Sequence, residues 1–246
     1  MMTKPVLSVR DIVAGYGEMT ILNGTTFDVM PGTITTVIGP NGAGKSTVFK
    51  TIFGMLKARS GSVHFKDTEI TNASPRKLLA LGLCYVPQGR NIFPELTVQH
   101  NLELGGIAAS ANVNIPQRVD AILERFPVLR RKGQQQAGTL SGGEQKLLEI
   151  ARSLLLDPHL MLIDEPSIGL SPIMVQEVFS IIQELRAKGV SVLMIEQNAR
   201  SALEISDDGL VLELGRTRMQ DRAQTLLNDP RVGQLFLGGV IEEKTA

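Results

Sequence analysis

The chain has 246 residues, 43% of them hydrophobic, with 25 basic and 25 acidic side chains and no net formal charge. This length is sufficient for one sizeable α/β core with an inserted subdomain. The charges are interspersed, so the sequence lacks the basic stripe of a nucleic-acid-binding protein, and no nucleic-acid partner is expected. No window approaches the ~20 consecutive apolar residues of a membrane-spanning helix, and "MMTKPVLSVRD" lacks the apolar core of a signal peptide. If the function involves a membrane, the spanning parts are expected on other polypeptides.

The single cysteine, Cys84, lies in the apolar stretch "GLCYVP" and cannot form an internal disulfide. We interpret it as a small buried thiol in a strand rather than as a catalytic or metal-binding group. A lone unpaired thiol favours a reducing, cytosolic location.

The first part of the chain is predicted to be rich in strands. Short β-rich runs bounded by turn signals stand at "LSVRDIVAGYG", "TTFDVM" and "TITTVIGP", and further strands are predicted at "SVHFK" and "LCYV". Between these groups, "KSTVFKTIFGML" carries apolar residues at helical spacing. A strand, a glycine-rich turn and a helix therefore follow one another directly.

Helices dominate from about Pro94 to Asp157, where "RVDAILERFPVL" and "EQKLLEIARSLLL" each have one apolar face. Strands return at Leu160–Asp164 and Val190–Ile195, separated by a helix that Ser171 can cap and Pro172 can begin. This order predicts parallel pairing of the two strands. A short strand pair near "GLVLELGRTRM" and helical turns close the chain. The sequence thus predicts a sheet interrupted by an all-helical insertion.

The stretch "GPNGAGKST" has the G-x-x-x-x-G-K-[ST] pattern of a phosphate-binding loop, between an apolar strand and a helix. Its glycines let backbone N–H groups turn toward phosphates, and the helix N-terminus adds partial positive charge. Lys45 is predicted to reach the β- and γ-phosphates of a bound triphosphate, and the Ser46 hydroxyl to bind Mg²⁺. An ordinary glycine-rich turn is the alternative, and it leaves the Lys and Ser in register unexplained. The predicted nucleotide-binding residues here are Gly39, Pro40, Asn41, Gly42, Ala43, Gly44, Lys45, Ser46 and Thr47.

Two carboxylates follow the apolar run of "LMLIDEP". Asp164 ends a predicted strand and is expected to hold Mg²⁺, through water. Glu165 stands where the chain leaves the sheet, so it can face the γ-phosphate and act as general base toward a water. The alternative is a solvated acidic pair before a proline.

Two glutamines also follow apolar runs, Gln88 in "YVPQGR" and Gln197 in "LMIEQN". Parallel strands would place both at the sheet edge that carries the phosphate-binding loop, where α/β proteins bind ligands. Either glutamine alone is more typical of a surface position. As a pair they indicate sensors of the metal and of the γ-phosphate, so we predict both as catalytic residues and Gln88 also as a ligand of the metal.

A second helix start with anion-binding character lies at "LSGGEQK", Leu140 to Lys146. Ser141 and Glu144 satisfy the capping-box pattern, but a capping box does not need a glycine pair. Gly142 and Gly143 remove side chains from the first turn at a cost of up to about 1 kcal/mol each. The pair is explained if a phosphate approaches the bare N–H groups. A site on the helical insertion would serve the nucleotide of a second subunit better than its own.

In this order and with these gaps, "GPNGAGKST", "VPQ", "LSGGEQ", "LMLIDEP" and "SIGL" resemble the nucleotide-binding subunit of an ATP-binding cassette (ABC) transporter. The resemblance runs from about Leu7 to Leu237. It implies an α/β P-loop NTPase fold with a mixed β-sheet core, an antiparallel β subdomain and an inserted α-helical subdomain. We place the RecA-like core and β subdomain at about 1–93 and 158–238, the helical subdomain at about 94–157 and a flexible tail at 239–246.

The resemblance also implies partners and residue roles. In that family two ATPase subunits pair head to tail, and each ATP lies between the phosphate-binding loop of one and the LSGGEQ turn of the other, so Ser141, Gly142 and Gly143 would act in trans. Closure on ATP drives the membrane subunits, and hydrolysis resets them. Tyr16 is assigned to stacking on adenine, an interaction worth ~1–3 kcal/mol per base; without the resemblance, core packing is an equal alternative.

Within the family, "VPQGRNIFPELTV", "SIGLSP", "IEQN" and the ending "LFLGG" look most like the shorter ATPase of branched-chain amino acid importers, the LivF type. The chain departs from most cassette ATPases at Gln197, where a histidine is usual, and at Ser171, where an aspartate is usual. None of the three histidines can replace Gln197 by register. The glutamine can donate a hydrogen bond to a γ-phosphate but cannot carry positive charge.

The sequence therefore predicts an ATP- and Mg²⁺-dependent ATPase, peripheral at the cytoplasmic face of the inner membrane. Its expected partners are a second ABC ATPase subunit, identical or related, transmembrane permeases and, indirectly, a periplasmic binding protein. We assign contact with a membrane subunit to the region from Gln88 to Leu102, where a plain surface loop anchored by Phe93 is the alternative. Rival functions are an importer of urea or short amides, a soluble ATP-gated clamp and a nucleotide-binding module that does not hydrolyse.

Overall fold

The strands of the computed structural model, which describes residues 4–109 and 113–236, form one four-stranded and one six-stranded sheet. The strands are β1 (Leu7–Tyr16), β2 (Met19–Val29), β3 (Ile34–Ile38), β4 (Ala58–Phe65), β5 (Thr68–Glu69), β6 (Leu83–Val86), β7 (Leu160–Asp164), β8 (Ser191–Ile195), β9 (Asp208–Glu213) and β10 (Arg216–Arg222). The helices are α1 (Lys45–Ile52), α2 (Pro75–Ala80), α3 (Val98–Gly105), α4 (Ile115–Arg125), α5 (Pro127–Arg131), α6 (Gly142–Leu154), α7 (Pro172–Ala187), α8 (Ala199–Glu204), α9 (Ala223–Leu227) and α10 (Pro230–Phe236).

The six-stranded sheet has the order β10-β9-β3-β8-β7-β6. Its inner strands pair in parallel, including β7 with β8 as the sequence predicts, and β10 joins β9 antiparallel. Strands β3, β7 and β8 are buried at every residue. Parallel strands covered on both faces read as continuous apolar runs, which is why "LMLI" and "VLMI" show no alternation with polar residues.

The two faces of this sheet belong to separate parts of the core. Along β7, Leu160 and Leu162 pack with residues of β1, β2 and α1, whereas Met161 and Ile163 pack with α3, α6 and α7. This alternation follows from the two-residue period of a strand. The sheet therefore stands between the four-stranded antiparallel sheet, of order β2-β1-β4-β5, and the helices that follow β6.

Helices α3 to α6 occupy the stretch between β6 and β7, where the sequence predicts helices. The single apolar face expected in "RVDAILERFPVL" is divided between two helices, because Pro127 opens α5 at its first position. Proline lacks the N–H that would continue α4. Phe126 lies between the two helices and is buried.

Two further local features differ from the sequence-based expectation. Helix α2 is absent from that expectation. Ser74 caps this helix by accepting from the Lys77 N–H, and Pro75 is its first residue. Helix α1 ends at Ile52 instead of continuing to Leu56, since Gly54 has a φ of +71°. A left-handed glycine ends a helix at little cost.

Gly215 joins the turn after β9 to the phosphate-binding loop, because its N–H donates to the Ala43 carbonyl at 3.0 Å. Its φ is +72°, and a Cβ here would lie 1.8 Å from the Ile21 carbonyl oxygen. We expect Gly215→Ala to lower the free energy of unfolding by more than about 3 kcal/mol, because the backbone must move. Urea unfolding followed by circular dichroism measures this loss.

The control for that substitution is Gly189→Ala. Gly189 has a φ of +86°, but a methyl group added to it would have no neighbouring atom within 4 Å, so only the backbone cost of about 1–2 kcal/mol applies. Equal losses in the two variants would contradict a steric role for Gly215.

Candidate functional site

The glycine-rich stretch forms the connection between β3 and α1, at the carboxyl end of the parallel strands. Gly44 adopts a φ of +99° and precedes α1 without any side-chain cap, whereas side chains cap α2, α3, α4, α6, α7 and α8. The first N–H groups of a helix have no acceptor inside it. At α1 these donors are open to a bound anion, and the macrodipole favours a negative charge there.

Lys45 lies inside this loop and is 7% exposed. Its ammonium group donates to the carbonyl oxygens of Gly39 at 2.8 Å and Pro40 at 3.1 Å. Burial lowers the pKa of Lys45, while the carboxylates of Glu165 and Asp164 act in the opposite direction. The positive charge of Lys45 is therefore only partly compensated by its acidic neighbours. The negative charge of a bound phosphate would compensate it further.

Asp164 ends β7 and is 1% exposed. The Ser46 hydroxyl lies 3.4 Å from its Oδ1, and the Tyr85 hydroxyl donates to its Oδ2 at 3.2 Å. Burial raises the pKa of Asp164, against these two hydrogen bonds, which lower it. The predicted pair of Ser46 and Asp164 is thus brought together across the sheet edge.

Glu165 follows at once and has a left-handed backbone, with a φ of +49°, which turns the chain away from the sheet. Its Oε2 accepts from the Gln88 side-chain amide at 2.7 Å and from the Gln197 amide at 2.8 Å. A positive φ at a non-glycine residue is strained and is found at functional sites. The two glutamines and the glutamate, distant in sequence, therefore converge on one carboxylate oxygen.

The donor set at this edge fits Mg²⁺. Ser46 and Asp164 supply a hydroxyl and a carboxylate oxygen, and Gln88 adds an amide oxygen nearby. Mg²⁺ prefers such hard oxygen ligands and completes its shell with water and substrate phosphates. Within residues 4–109 and 113–236, no group of three or more His, Cys, Asp or Glu side chains could hold a metal ion.

Ser141 and Gly142 lie exposed at the start of α6. The capping box is formed: the Glu144 N–H donates to the Ser141 hydroxyl at 3.3 Å, and the Glu144 carboxylate accepts from the Ser141 N–H at 3.0 Å. Lys132 also binds this carboxylate at 2.7 Å. Partial burial alone would raise the pKa of Glu144, but the hydrogen bonds from Lys132 and Ser141 hold it below its ordinary value. The turn is therefore held in shape from within its own chain.

The two glycines of this turn differ, although the sequence presents them as an equivalent pair. A Cβ on Gly143 would lie 2.4 Å from the Met174 side chain, whereas one on Gly142 would have its nearest neighbour, Leu170, at 4.0 Å. Packing against α7 accounts for Gly143. No packing contact among the described residues accounts for Gly142.

Tyr16 ends β1 and is 48% exposed. Lys50 of α1 places its ammonium group 6.0 Å from the centre of the Tyr16 ring. The ring is thus beside the helix that begins at the phosphate-binding loop and is not part of the core. This placement leaves a ring face open to a base.

Two polar residues of the site are missing from the sequence-based prediction. Tyr85 binds Asp164 through its hydroxyl, and Glu196, 1% exposed, accepts from the N–H and the hydroxyl of Ser167 at 2.9 and 2.8 Å. Burial raises the pKa of Glu196, against those hydrogen bonds. The sequence does contain a signal for both residues. Tyr85 is a polar residue inside the apolar strand "LCYV", and Glu196 directly follows the apolar run in "VLMIEQ".

Cys84 takes no part in the site. Its thiol is buried and lies 3.6 Å from the Ser153 carbonyl oxygen, and burial raises its pKa to about 12. A thiol in such an apolar position is a poor nucleophile.

Among the described residues, no helix is both long enough and apolar enough to cross a membrane.

A phosphate-binding loop between a parallel strand and a helix, with acidic and amide side chains at the ends of the neighbouring strands, defines a P-loop nucleotide-binding protein. The family model described as ABC transporter matches residues 22–168. The high-affinity branched-chain amino acid transport ATP-binding protein BraG of Pseudomonas aeruginosa is 42% identical, over 95% of this chain and all of that protein. The probable branched-chain amino acid transport ATP-binding protein LivF of Archaeoglobus fulgidus is 39% identical, over 92% of this chain and 95% of that protein.

Among solved structures, MJ1267, an ATP-binding cassette of an ABC transporter, superimposes with a TM-score of 0.87 at 33% identity, over 95% of this chain and 99% of that one. The chain belongs to the ATP-binding cassette family of ABC transporters and is an ATP-hydrolysing subunit. The family and the fold class predicted from the five motifs are confirmed. The roles of the individual site residues remain predictions.

Proposed function

We propose that this chain powers the uptake of branched-chain amino acids through separate membrane permeases, at the cytoplasmic face of the inner membrane. The names of the relatives BraG and LivF support this substrate class. The observation that carries the ATPase role is the convergence of Gln88 and Gln197 on Glu165, beside the phosphate-binding loop. Such a constellation can hold one water in line with a terminal phosphate.

In the proposed mechanism, the N–H groups of the loop and Lys45 bind the phosphates of ATP. Glu165 accepts a proton from the attacking water, and the amides of Gln88 and Gln197 orient its carboxylate before nucleotide binds. Ser46, Asp164 and Gln88 would hold Mg²⁺, which neutralises charge that develops on the phosphate oxygens. A glutamine at position 197 donates a hydrogen bond without adding positive charge, so Lys45 and the metal supply the cationic stabilisation.

Hydrolysis in this proposal requires a second ATPase subunit, placed head to tail. The exposed Ser141 and Gly142 and the uncrowded face at Gly142 support a site for the partner's nucleotide. The branched-chain resemblance favours a related, non-identical partner in cells, and two copies of this chain can take the same arrangement in isolation.

We place the contact with the membrane subunit at residues 88–102. The side chain of Asn101 fixes this loop, because it donates to the carbonyl oxygens of Phe93, Leu96 and Thr97 and accepts from the Phe93 N–H at 2.8 Å. Phe93 nevertheless stays 51% exposed. A well-fixed loop that presents an aromatic ring to solvent suits docking of another protein.

The substrate class is tested by uptake in cells. In a strain that lacks this chain, we expect loss of leucine, isoleucine and valine uptake at low external concentration, with urea uptake unchanged. Complementation with the parent restores uptake, and complementation with Lys45→Ala does not. Loss of urea uptake alone would replace the proposed substrate by the short-amide alternative.

The membrane assignment is tested by affinity purification of the tagged chain from native membranes. We expect two permeases and a longer ATPase to be recovered with it, and Phe93→Ser to reduce that recovery. Recovery only as a free protein would favour the soluble ATP-gated clamp.

A further inference from the structure

Three charged side chains of α6 face the loop that follows Gln88. Lys146 and Glu149 are 5% and 2% exposed and form an ion pair with 2.5 Å between Nζ and Oε2. Arg152 lies one turn further along and is also partly buried. We call Lys146, Glu149 and Arg152 the α6 charge cluster. The roles described above for the phosphate-binding loop, for Asp164 and Glu165 and for the Ser141 turn do not involve this cluster.

Each member of the α6 charge cluster binds the backbone of residues 89–91. Lys146 donates to the Gly89 carbonyl at 3.2 Å, and the second oxygen of Glu149 accepts from the Asn91 N–H at 2.5 Å. Arg152 donates to the Asn91 carbonyl at 2.5 Å, and its guanidinium lies 5.8 Å from the centre of the Phe93 ring. Asn91 is therefore held at both its N–H and its carbonyl.

The Asn91 side chain passes this restraint on to Gln88. Its amide donates to the carbonyl oxygens of Pro87 and Gln88, both at 3.2 Å. Gln88 in turn donates to Glu165 at 2.7 Å. A continuous series of hydrogen bonds thus runs from Glu149 through Asn91 and Gln88 to the predicted general base.

Stability alone is a weak reason for such a cluster. A buried ion pair often contributes no more than well-packed apolar residues of similar volume, because both ions lose their hydration. Its two partners must also be fully hydrogen-bonded. Here both oxygens of Glu149 are used, one for Lys146 and one for the loop. The arrangement fixes the direction of the loop, which apolar packing would leave less defined.

We propose that Glu149 is a positioning residue that, with Lys146 and Arg152, fastens the Gln88 loop to α6. Helix α6 begins at the Ser141 turn. The same helix therefore holds the loop of Gln88, the sensor of this chain's own nucleotide, and the turn that would bind the partner's nucleotide. Movement of Gln88 at one site is thereby passed to the other. This inference rests on the proposed function, since it needs ATP hydrolysis by a paired subunit.

A double-mutant cycle with steady-state ATP hydrolysis tests the proposal. We expect Glu149→Gln to lower kcat about tenfold and to change KM for ATP by less than about twofold, because the loop is displaced but the phosphate-binding loop is not. In a Gln88→Ala background, the same change should cause no further fall, because Glu149 acts through Gln88. The Hill coefficient for ATP should also fall toward one.

The matched control is Glu184→Gln, which breaks the ion pair of Glu184 with Arg125, 3.3 Å long, away from the Gln88 loop. We expect parental kcat and cooperativity from it. If Glu149→Gln does not fold, as judged by thermal unfolding, Asn91→Ala removes the two hydrogen bonds to residues 87 and 88 without disturbing the buried ion pair, and the same cycle applies.

Equal falls in kcat in the parental and Gln88→Ala backgrounds would overturn the proposal, and so would parental kinetics in Glu149→Gln. These results are distinct from failure of the proposed function. In that case the parent itself would hydrolyse no ATP, or Gln88→Ala would leave its turnover unchanged.

Discussion

Glu165→Gln is expected to bind Mg²⁺ and ATP, to hold two subunits closed and to hydrolyse about 10²–10⁴ times more slowly than the parent. This loss corresponds to about 3–5 kcal/mol in the activation free energy. The substitution keeps the size of the side chain and one oxygen that can accept a hydrogen bond. It removes the group that takes a proton from water.

The geometry explains why no neighbour would replace this carboxylate. The residues around Glu165 are amide donors, Gln88 and Gln197, which cannot accept a proton at neutral pH. Asp164 is already engaged by Ser46 and Tyr85. Glu196 is bound to Ser167. Each nearby acid therefore has another partner.

Single-turnover release of phosphate measures the rate, and size-exclusion chromatography with and without ATP measures closure. Glu177→Gln is the matched control, because it makes the same change at an exposed position of α7. Turnover of Glu165→Gln within about twofold of the parent would remove Glu165 from the role of general base.

The sequence predicted those parts of the molecule whose causes are local. The phosphate-binding loop needs glycines at left-handed positions, and it lies between a short, fully buried strand and a helix with apolar residues at helical spacing. The same holds for the capping box at Ser141 and for the cap at Ser171, which accepts from the Met174 N–H. Caps and turns depend on residues that are adjacent in the sequence, so the sequence alone is enough to predict them.

Contacts between distant segments could not be predicted in this way. Tyr85 meets Asp164 across 79 positions and Asn91 meets Glu149 across 58 positions. Whether a strand tyrosine faces an acid or a phenylalanine depends on which strands pair and in which register. The reason for Gly143 is also of this kind, because the side chain that requires it, Met174, belongs to another helix.

Helix boundaries could not be predicted for a second reason, the ambiguity of proline. Pro75 begins α2 and Pro127 begins α5, although the sequence pattern predicts no helix around Pro75 and a single apolar face across Pro127. Proline is favourable at the first position of a helix and unfavourable inside one. A capping residue before the proline identifies the helix start at α2, where Ser74 caps the helix, but Phe126 before Pro127 provides no side-chain cap.

Gly142→Asp is expected to abolish ATP hydrolysis while leaving the isolated subunit as stable as the parent or more stable. An acidic residue in the first turn of a helix is favoured by the macrodipole by about 0.3–1 kcal/mol, and the structure has room there, with the nearest atom 4.0 Å from a Cβ. The same carboxylate would stand against the triphosphate of the partner subunit. Gln117→Asp in the first turn of α4 is the control and should keep parental turnover.

Mixing two inactive variants separates action in trans from action within one chain. A pair of Gly142→Asp with Lys45→Ala contains one intact composite site, made of Lys45 from the first chain and the Ser141 turn of the second. We expect up to about a quarter of parental turnover, because half of randomly formed pairs are mixed and each has one such site. If the turn served its own chain, both sites of the mixed pair would be damaged. Absence of any recovery, in mixtures shown to exchange subunits, would therefore place the Ser141 turn in cis.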